Sequence, residues 1–143
     1  MINSDSDLIK AIERRASIYS PSNDTVKQLG KVSLIAVVAP SVVGKSTVTG
    51  RILELDADFS RVCSFTTRLP RPQESEEAYD FRGNSSDALN AITRDIEEGK
   101  LVQFAVHRTT GIVYGSHSDQ YQKRYCLLEA LPTSIEQLDR LPF

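Results

Sequence analysis

Val32-Ser33-Leu34-Ile35-Ala36-Val37-Val38-Ala39-Pro40-Ser41-Val42-Val43-Gly44-Lys45-Ser46 is the stretch whose reading decides the fold. Its first seven residues are apolar except Ser33 and rich in β-branched side chains. An unalternating run of this kind predicts a strand covered on both faces, as in a parallel α/β sheet. Residues 45–56 then repeat Val48, Ile52 and Leu55 at helical spacing. Between strand and helix lies the order of an anion-binding loop, with Ala39 where a first glycine usually stands. The strand delivers the loop, backbone N–H groups curl around an anion, and the helix N-terminus adds the positive end of its dipole. In that pattern Gly44 precedes Lys45, whose ammonium reaches the β- and γ-phosphates of a nucleotide. Ser46 offers its hydroxyl to Mg2+. Val42 is the awkward member, because a β-branched residue resists the positive φ of a tight anion loop. The alternative is a Gly-Lys-Ser that merely caps a helix.

Working outward, residues 5–18 predict a helix capped by Ser4 or Ser6, with Leu8, Ile9, Ile12 and Ala16 on one stripe. Residues 19–23 read as a break. Residues 1–30 thus form an N-terminal helical arm, either packed on the domain or a partner or solvated on the surface. Residues 61–66 predict a second strand, 69–78 a Pro- and Glu-rich loop, and 79–82 a short extended piece. A helix over 85–99 is capped by Ser85 or Ser86, carries Ala88, Leu89, Ile92 and Ile96, and stops at Gly99. Residues 101–107 alternate, with Val102, Phe104 and Val106 on one side, and 112–114 pair back as a hairpin. A strand over 126–130 and a helix over 132–141 complete the pattern. Strands alternating with helices argue for a layered α/β fold.

The chain has 143 residues, 40% apolar and 25% charged, with 17 Lys+Arg against 19 Asp+Glu. That suits one globular domain and excludes a disordered tail, a coiled coil and a collagen-like chain. There is no bulk basic excess for nucleic acid, no apolar run of membrane-spanning length and no signal-peptide pattern. The expectation is a soluble cytoplasmic protein. Cys63 and Cys126 lack Cys-x-x-Cys spacing and read as buried thiols of a reducing compartment. His107 and His117 lack metal-ligand spacing, and His107 reads as a surface or hairpin residue.

A second cluster is Ser64-Phe65-Thr66-Thr67-Arg68-Leu69-Pro70-Arg71-Pro72-Gln73-Glu74, followed by Tyr79-Asp80-Phe81 and then Tyr114-Gly115-Ser116. Two arginines three apart around a rigid proline give two fixed guanidinium forks, which suit a phosphate. Ser64, Tyr79, Tyr114 and Ser116 add hydroxyls, and Gly115 permits close approach. Taken alone such arginines are ordinary surface residues. After an anion loop they read as the acceptor-side clamp of a phosphotransferase.

With these residues the chain resembles guanylate kinases and guanylate-kinase-like domains. The likeness runs from residue 32 to about 130 through APSVVGKST, SFTTRLPRPQE, YDF and VYGS, in that order. It implies a P-loop parallel sheet flanked by helices over residues 31–143. Inserted in it, at about 66–118, is a small α+β monophosphate-binding subdomain. It carries Ala39, Ser41, Gly44, Lys45, Ser46 and Thr47 over as ATP-phosphate contacts, with Ser46 on Mg2+. Ser64, Arg68, Arg71, Tyr79, Gln103, Tyr114 and Ser116 match positions that hold the nucleoside monophosphate. Arg68, Arg71, Tyr79 and Tyr114 gather on its phosphate, and Ser64 and Ser116 lie near the base. Lys45 and Arg68 are the catalytic candidates.

The departures are informative. Gln103 stands where the family has a glutamate that accepts two guanine donors, which a neutral amide cannot copy. Glu129 matches a family aspartate, but Leu131 replaces the next acidic residue. The family also continues with an arginine-bearing lid and two further core strands, whereas this sequence stops at Phe143. The expectation is therefore a shortened relative. Its residue 32–38 strand would have an open edge available for self- or partner association. Either the sequence is a piece of a longer product, a partner covers that edge, or catalysis has been shed. The implied activity moves the ATP γ-phosphate to GMP or a related monophosphate. The alternative is a catalytically impaired module that binds a nucleotide or phosphopeptide in the same cleft.

Overall fold

The computed structural model describes residues 4–39, 44–76 and 78–143. Pro40, Ser41, Val42 and Val43 lie outside the described residues, so the expectations for Ser41 and Val42 fall there too.

Two sheets share the chain. A parallel sheet has the order β1-β7-β2, from β1 (Ser33–Val38), β7 (Tyr125–Ala130) and β2 (Phe59–Arg61). A mixed sheet has the order β4-β3-β6-β5, from β4 (Asp80–Phe81), β3 (Phe65–Thr66), β6 (Val113–His117) and β5 (Leu101–Val106). Helix α3 (Lys45–Leu55) follows β1 and packs on the parallel sheet, and α4 (Ser86–Glu97) backs the mixed one. This is the α/β architecture expected, a parallel sheet flanked by helices with a second small sheet.

The N-terminal residues are built into both layers. Ser4 caps α1 (Asp5–Ala16), whose Ile12 is fully buried among Leu89, Ile92, Phe104 and Val113. Ser22 caps α2 (Asn23–Leu29), a second helix of the arm that starts where the expected break over 19–23 ends. Seven residues are too few to display an apolar stripe, yet Leu29 is fully buried in a second cluster with Val32, Tyr121 and Leu128. The arm thus spans the two cores.

Several expectations are corrected. Residues 61–66 do not form one strand. Phe59–Arg61 pairs with β7 and Phe65–Thr66 with β4 and β6, because the chain crosses between sheets at 62–64. β1 is not covered on both faces: Ser33, Ile35 and Ala36 are exposed, Ile35 at 43%. On α3 the expected stripe is mostly turned outward, with Val48 51% and Leu55 70% exposed and Ile52 half-buried, while Thr49 is the buried member. Thr49 can turn inward because its hydroxyl donates to Lys45 O at 2.9 Å. In β5 a register shift between Leu101 and Gln103 breaks the simple alternation. Val102 therefore joins the second cluster, while Leu101, Phe104 and Val106 face the first. The C-terminal helix is split into a 3-10 turn (Pro132–Ser134) and α5 (Ile135–Asp139). Both cysteines are free thiols, Cys126 buried and Cys63 half-buried.

Gln137 of α5 joins three segments. Its Oε1 accepts from Phe104 N at 2.8 Å, and its Nε2 donates to Phe104 O at 2.9 Å and to Ala16 O at 3.0 Å. Replacing it with alanine strands both buried amide groups of Phe104. Gln137→Ala is expected to lower the unfolding free energy by about 1–3 kcal/mol, the cost of buried unsatisfied groups, measured by urea denaturation. Loss of under ~0.5 kcal/mol, the level of ordinary surface substitutions, would show that water replaces the side chain at no cost.

Candidate functional site

Strand alternation divides the mixed sheet into two faces. Phe65, Phe104 and Val113 point to the core shared with α1 and α4. In register, Gln103 stands opposite Ser116, and both Ala105 and Thr66 stand opposite Tyr114, on the other face. Gly115 is needed between them. A Cβ there would lie 2.6 Å from Phe65 Cζ and 2.8 Å from Gln103 O. The close approach that the sequence assigned to a ligand is thus made by the protein's own phenyl ring.

The polar face opens onto a cleft of about 360 Å³. One wall is the end of the parallel sheet: Gly44, Lys45 and Ser46 at the start of α3, with Glu129, Ala130 and Leu131 at the end of β7. The opposite wall carries Ser64, Arg68, Arg71, Glu74, Tyr79, Gln103 and Tyr114. The loop residues and the arginine–tyrosine cluster, separate in sequence, therefore meet across one cavity. Ala39, Thr47 and Ser116 do not line it.

On the loop side Gly44 has φ 92°, a left-handed conformation that glycine alone adopts without strain. The N-cap of α3 is Gly44 itself, which has no side chain to bond the first turn. Lys45 Nζ donates to Ala39 O at 2.7 Å. Ser46 Oγ donates to Glu129 Oε2 at 3.1 Å, and Arg61 donates to Glu129 Oε1 at 3.1 Å. A hydroxyl and a carboxylate are hard oxygen donors that fit Mg2+. No cluster of three or more His, Cys, Asp or Glu occurs among the described residues.

Across the cleft Arg68 makes a two-pronged pair with Glu74, at 2.8 and 2.6 Å, and Arg71 N donates to the same carboxylate at 2.9 Å. The Arg68 guanidinium lies 5.1 Å from the Tyr79 ring centre and 5.3 Å from that of Phe81. Burial, chiefly, and then the charge of Glu129 push the Tyr79 hydroxyl above its ordinary pKa, so it is a donor at neutral pH. Gln103 is only 4% exposed. Its Oε1 accepts from Ser134 Oγ at 2.7 Å, and its Nε2 donates to Ser116 Oγ at 3.3 Å. Ser116 in turn shares a hydrogen with Tyr121 OH at 2.8 Å, so it sits behind the cavity as support for Gln103.

Three residues at the cleft were missed or read otherwise. Glu74 closes the SFTTRLPRPQE stretch without a role of its own there, and Ser134 carries no motif signal. His107, read as a surface residue, is exposed yet lines the cavity. The two-residue spacing from Gln103 through Ala105 was the available clue.

Comparison with known proteins finds similar chains of one kind. No family model matches the chain. Guanylate kinase from Granulibacter bethesdensis is 37% identical over 91 residues, 62% of this chain. Those from Ruegeria sp. and Nocardia farcinica are 34% and 36% identical over 84 and 80 residues. A crystal structure of guanylate kinase from Anaplasma phagocytophilum superposes with a TM-score of 0.51 at 23% identity over 74% of this chain. Over these segments the chain is similar to guanylate kinases. The matched segments span only 36–39% of the curated relatives and 51% of the solved chain.

Glu74 organises the arginine loop. The hydrogen bonds from Arg68, foremost, and from Arg71 N hold its carboxyl down at about 2 instead of the ordinary 4.5. The unfolded chain therefore takes up this proton first. The pair's contribution to stability is complete above about pH 4.5 and is lost as pH falls toward about 2. Glu74→Gln is expected to flatten the acid limb of a melting-temperature profile in that window. An identical profile in both proteins would mean that the pair adds nothing to folding.

Proposed function

We propose that the domain is a guanylate-kinase-like nucleotide kinase that transfers the ATP γ-phosphate to GMP or a related nucleoside monophosphate. One observation carries the reading: a single cleft joins Gly44, Lys45 and Ser46 to Arg68, Arg71, Tyr79 and Tyr114. In this reading the mixed sheet with α4 is the monophosphate-binding subdomain, and the residues around Lys45 hold ATP. Lys45 neutralises charge on the transferring group and Arg68 faces it from the acceptor side. Arg71, Tyr79 and Tyr114 hold the acceptor phosphate. Mg2+, bound with the nucleotide, would be held by Ser46 and Glu129 and would neutralise phosphate charge. Phosphoryl transfer asks for positioning and electrostatic stabilisation more than for covalent chemistry, and these side chains supply both.

ADP release coupled to an optical readout, with GMP, AMP, CMP and UMP each as acceptor, tests the proposal. Turnover with at least one purine monophosphate is expected. Calorimetry should find ATP·Mg2+ binding that Lys45→Ala abolishes. Absence of both turnover and ATP binding, with retained phosphopeptide binding, would replace the kinase by the non-catalytic module.

Gln103 supports a further detail of this reading. Its amide is held at both ends by serine hydroxyls, and it offers no negative charge to a base. A carboxylate at this position would accept two guanine donors with charge-assisted bonds. Discrimination between GMP and AMP is therefore expected to be weak. Gln103→Glu should shift the affinity ratio toward GMP by about 1–3 kcal/mol. A native protein already selective for GMP, with selectivity lowered by the substitution, would remove Gln103 from base recognition.

A further inference from the structure

Arg68, the first arginine of the cluster, is already committed. Both terminal nitrogens of its guanidinium are bonded to Glu74, and Nη1 also donates to Leu69 O at 3.1 Å. A phosphoryl group has three oxygens, each accepting more than one hydrogen bond. Further donors on the same wall are therefore informative, and His107 is one.

Its position follows from strand geometry. Gln103 lines the cleft, Ala105 shares its face of β5, and His107, just past the strand's end, continues the two-residue spacing and lines the cleft again. Tyr114 stands directly opposite Ala105. His107 therefore lies toward the Tyr114 end of the wall, away from Gln103. The hairpin turn fixes the ring. The His107 backbone N–H donates to Ile112 O, and its carbonyl accepts from Gly111 N, both at 2.8 Å. The imidazole Nδ1 accepts from Thr110 N at 3.3 Å. A neutral ring whose Nδ1 is an acceptor carries its proton on Nε2. The ring edge away from the turn is thus a hydrogen-bond donor, held in one tautomer by the backbone.

We infer that His107 is a phosphate-binding residue of this cleft, its Nε2–H donating to a phosphoryl oxygen of the acceptor monophosphate beside Arg71 and Tyr114. The inference rests on the reading of this wall as the monophosphate site and adds a residue that the motif pattern does not contain. Thr110 acts through the ring, as a positioning residue that sets the tautomer.

The chain has two histidines, which makes a direct test simple. His117 does not line the cleft, and its Nδ1 lies 3.1 Å from Asp119 Oδ1, so it serves as an internal reference. Protein labelled with 15N-histidine is titrated with GMP, AMP and the uncharged nucleoside guanosine, and the imidazole nitrogens are followed by long-range 1H–15N NMR. The His107 Nε2 signal is expected to move with both monophosphates and not with guanosine, while His117 stays in place. By calorimetry, His107→Ala should weaken GMP binding roughly 10-fold, the scale of losing one donor to a charged group. His107→Gln, which keeps an N–H near the same place, should stay within roughly 3-fold of native.

Monophosphate binding that weakens on Arg71→Ala but leaves the His107 ring unmoved would overturn the inference and leave the acceptor site standing. Equal movement with guanosine would assign the ring to base or ribose and overturn the phosphate contact. No binding of any monophosphate would remove the acceptor reading, and the inference with it.

Discussion

Strand alternation in the mixed sheet is the constraint on which the site depends. One face must supply Phe65, Phe104 and Val113 to the core under α1 and α4. The other face is then left to polar residues, and Gln103, Tyr114 and His107 share it across β5 and β6. A slip of one residue would exchange the two sets. Gly115 guards against that slip, since its place against Phe65 admits no side chain. The irregularity at the start of β5 lets the strand serve both cores. Val102 reaches the parallel-sheet cluster while Leu101 and Phe104 stay in the other.

Charge on the two walls is balanced locally. Glu129 is shared between Ser46 and Arg61, and Glu74 between Arg68 and Arg71. Each carboxylate fixes the groups that face the cleft and lowers the field of the cations beside it. The long Arg68 side chain is held from three directions, by Glu74 and by the faces of Tyr79 and Phe81. Such preorganisation lowers the entropy lost when a ligand settles against the wall.

How much of this was legible in the sequence depended on range. The β1–loop–α3 unit and the Arg68–Glu74 loop are contiguous, so residue order alone indicated an anion site. The stripes of α1 and α4 were legible because 12-residue helices display several turns. Seven-residue α2 does not, and its role emerges only from the burial of Leu29. The outward face of α3 was misjudged because a threonine can bury itself by bonding its own helix, which apolar spacing does not register. The partners of Gln103 and Glu129, namely Ser134, Ser116, Arg61 and Ser46, come from elements that only tertiary packing brings together. His107 sat in plain register, but a lone histidine carries no motif.

The hydrogen bonds of Gln137 bear on how the protein behaves among its own copies. β5 closes one side of the mixed sheet, and an unpaired strand edge is a template for another chain. Here a side-chain amide imitates a neighbouring strand by engaging both the N–H and the C=O of Phe104. Tyr19 takes up the Leu101 carbonyl at 2.6 Å on the same strand. The arm and α5 therefore act as a hem along that border, and an incoming peptide finds the Leu101 carbonyl and both main-chain groups of Phe104 already engaged. Strand addition along β5 is thereby opposed at Leu101 and Phe104 by side chains that come from the two ends of the chain.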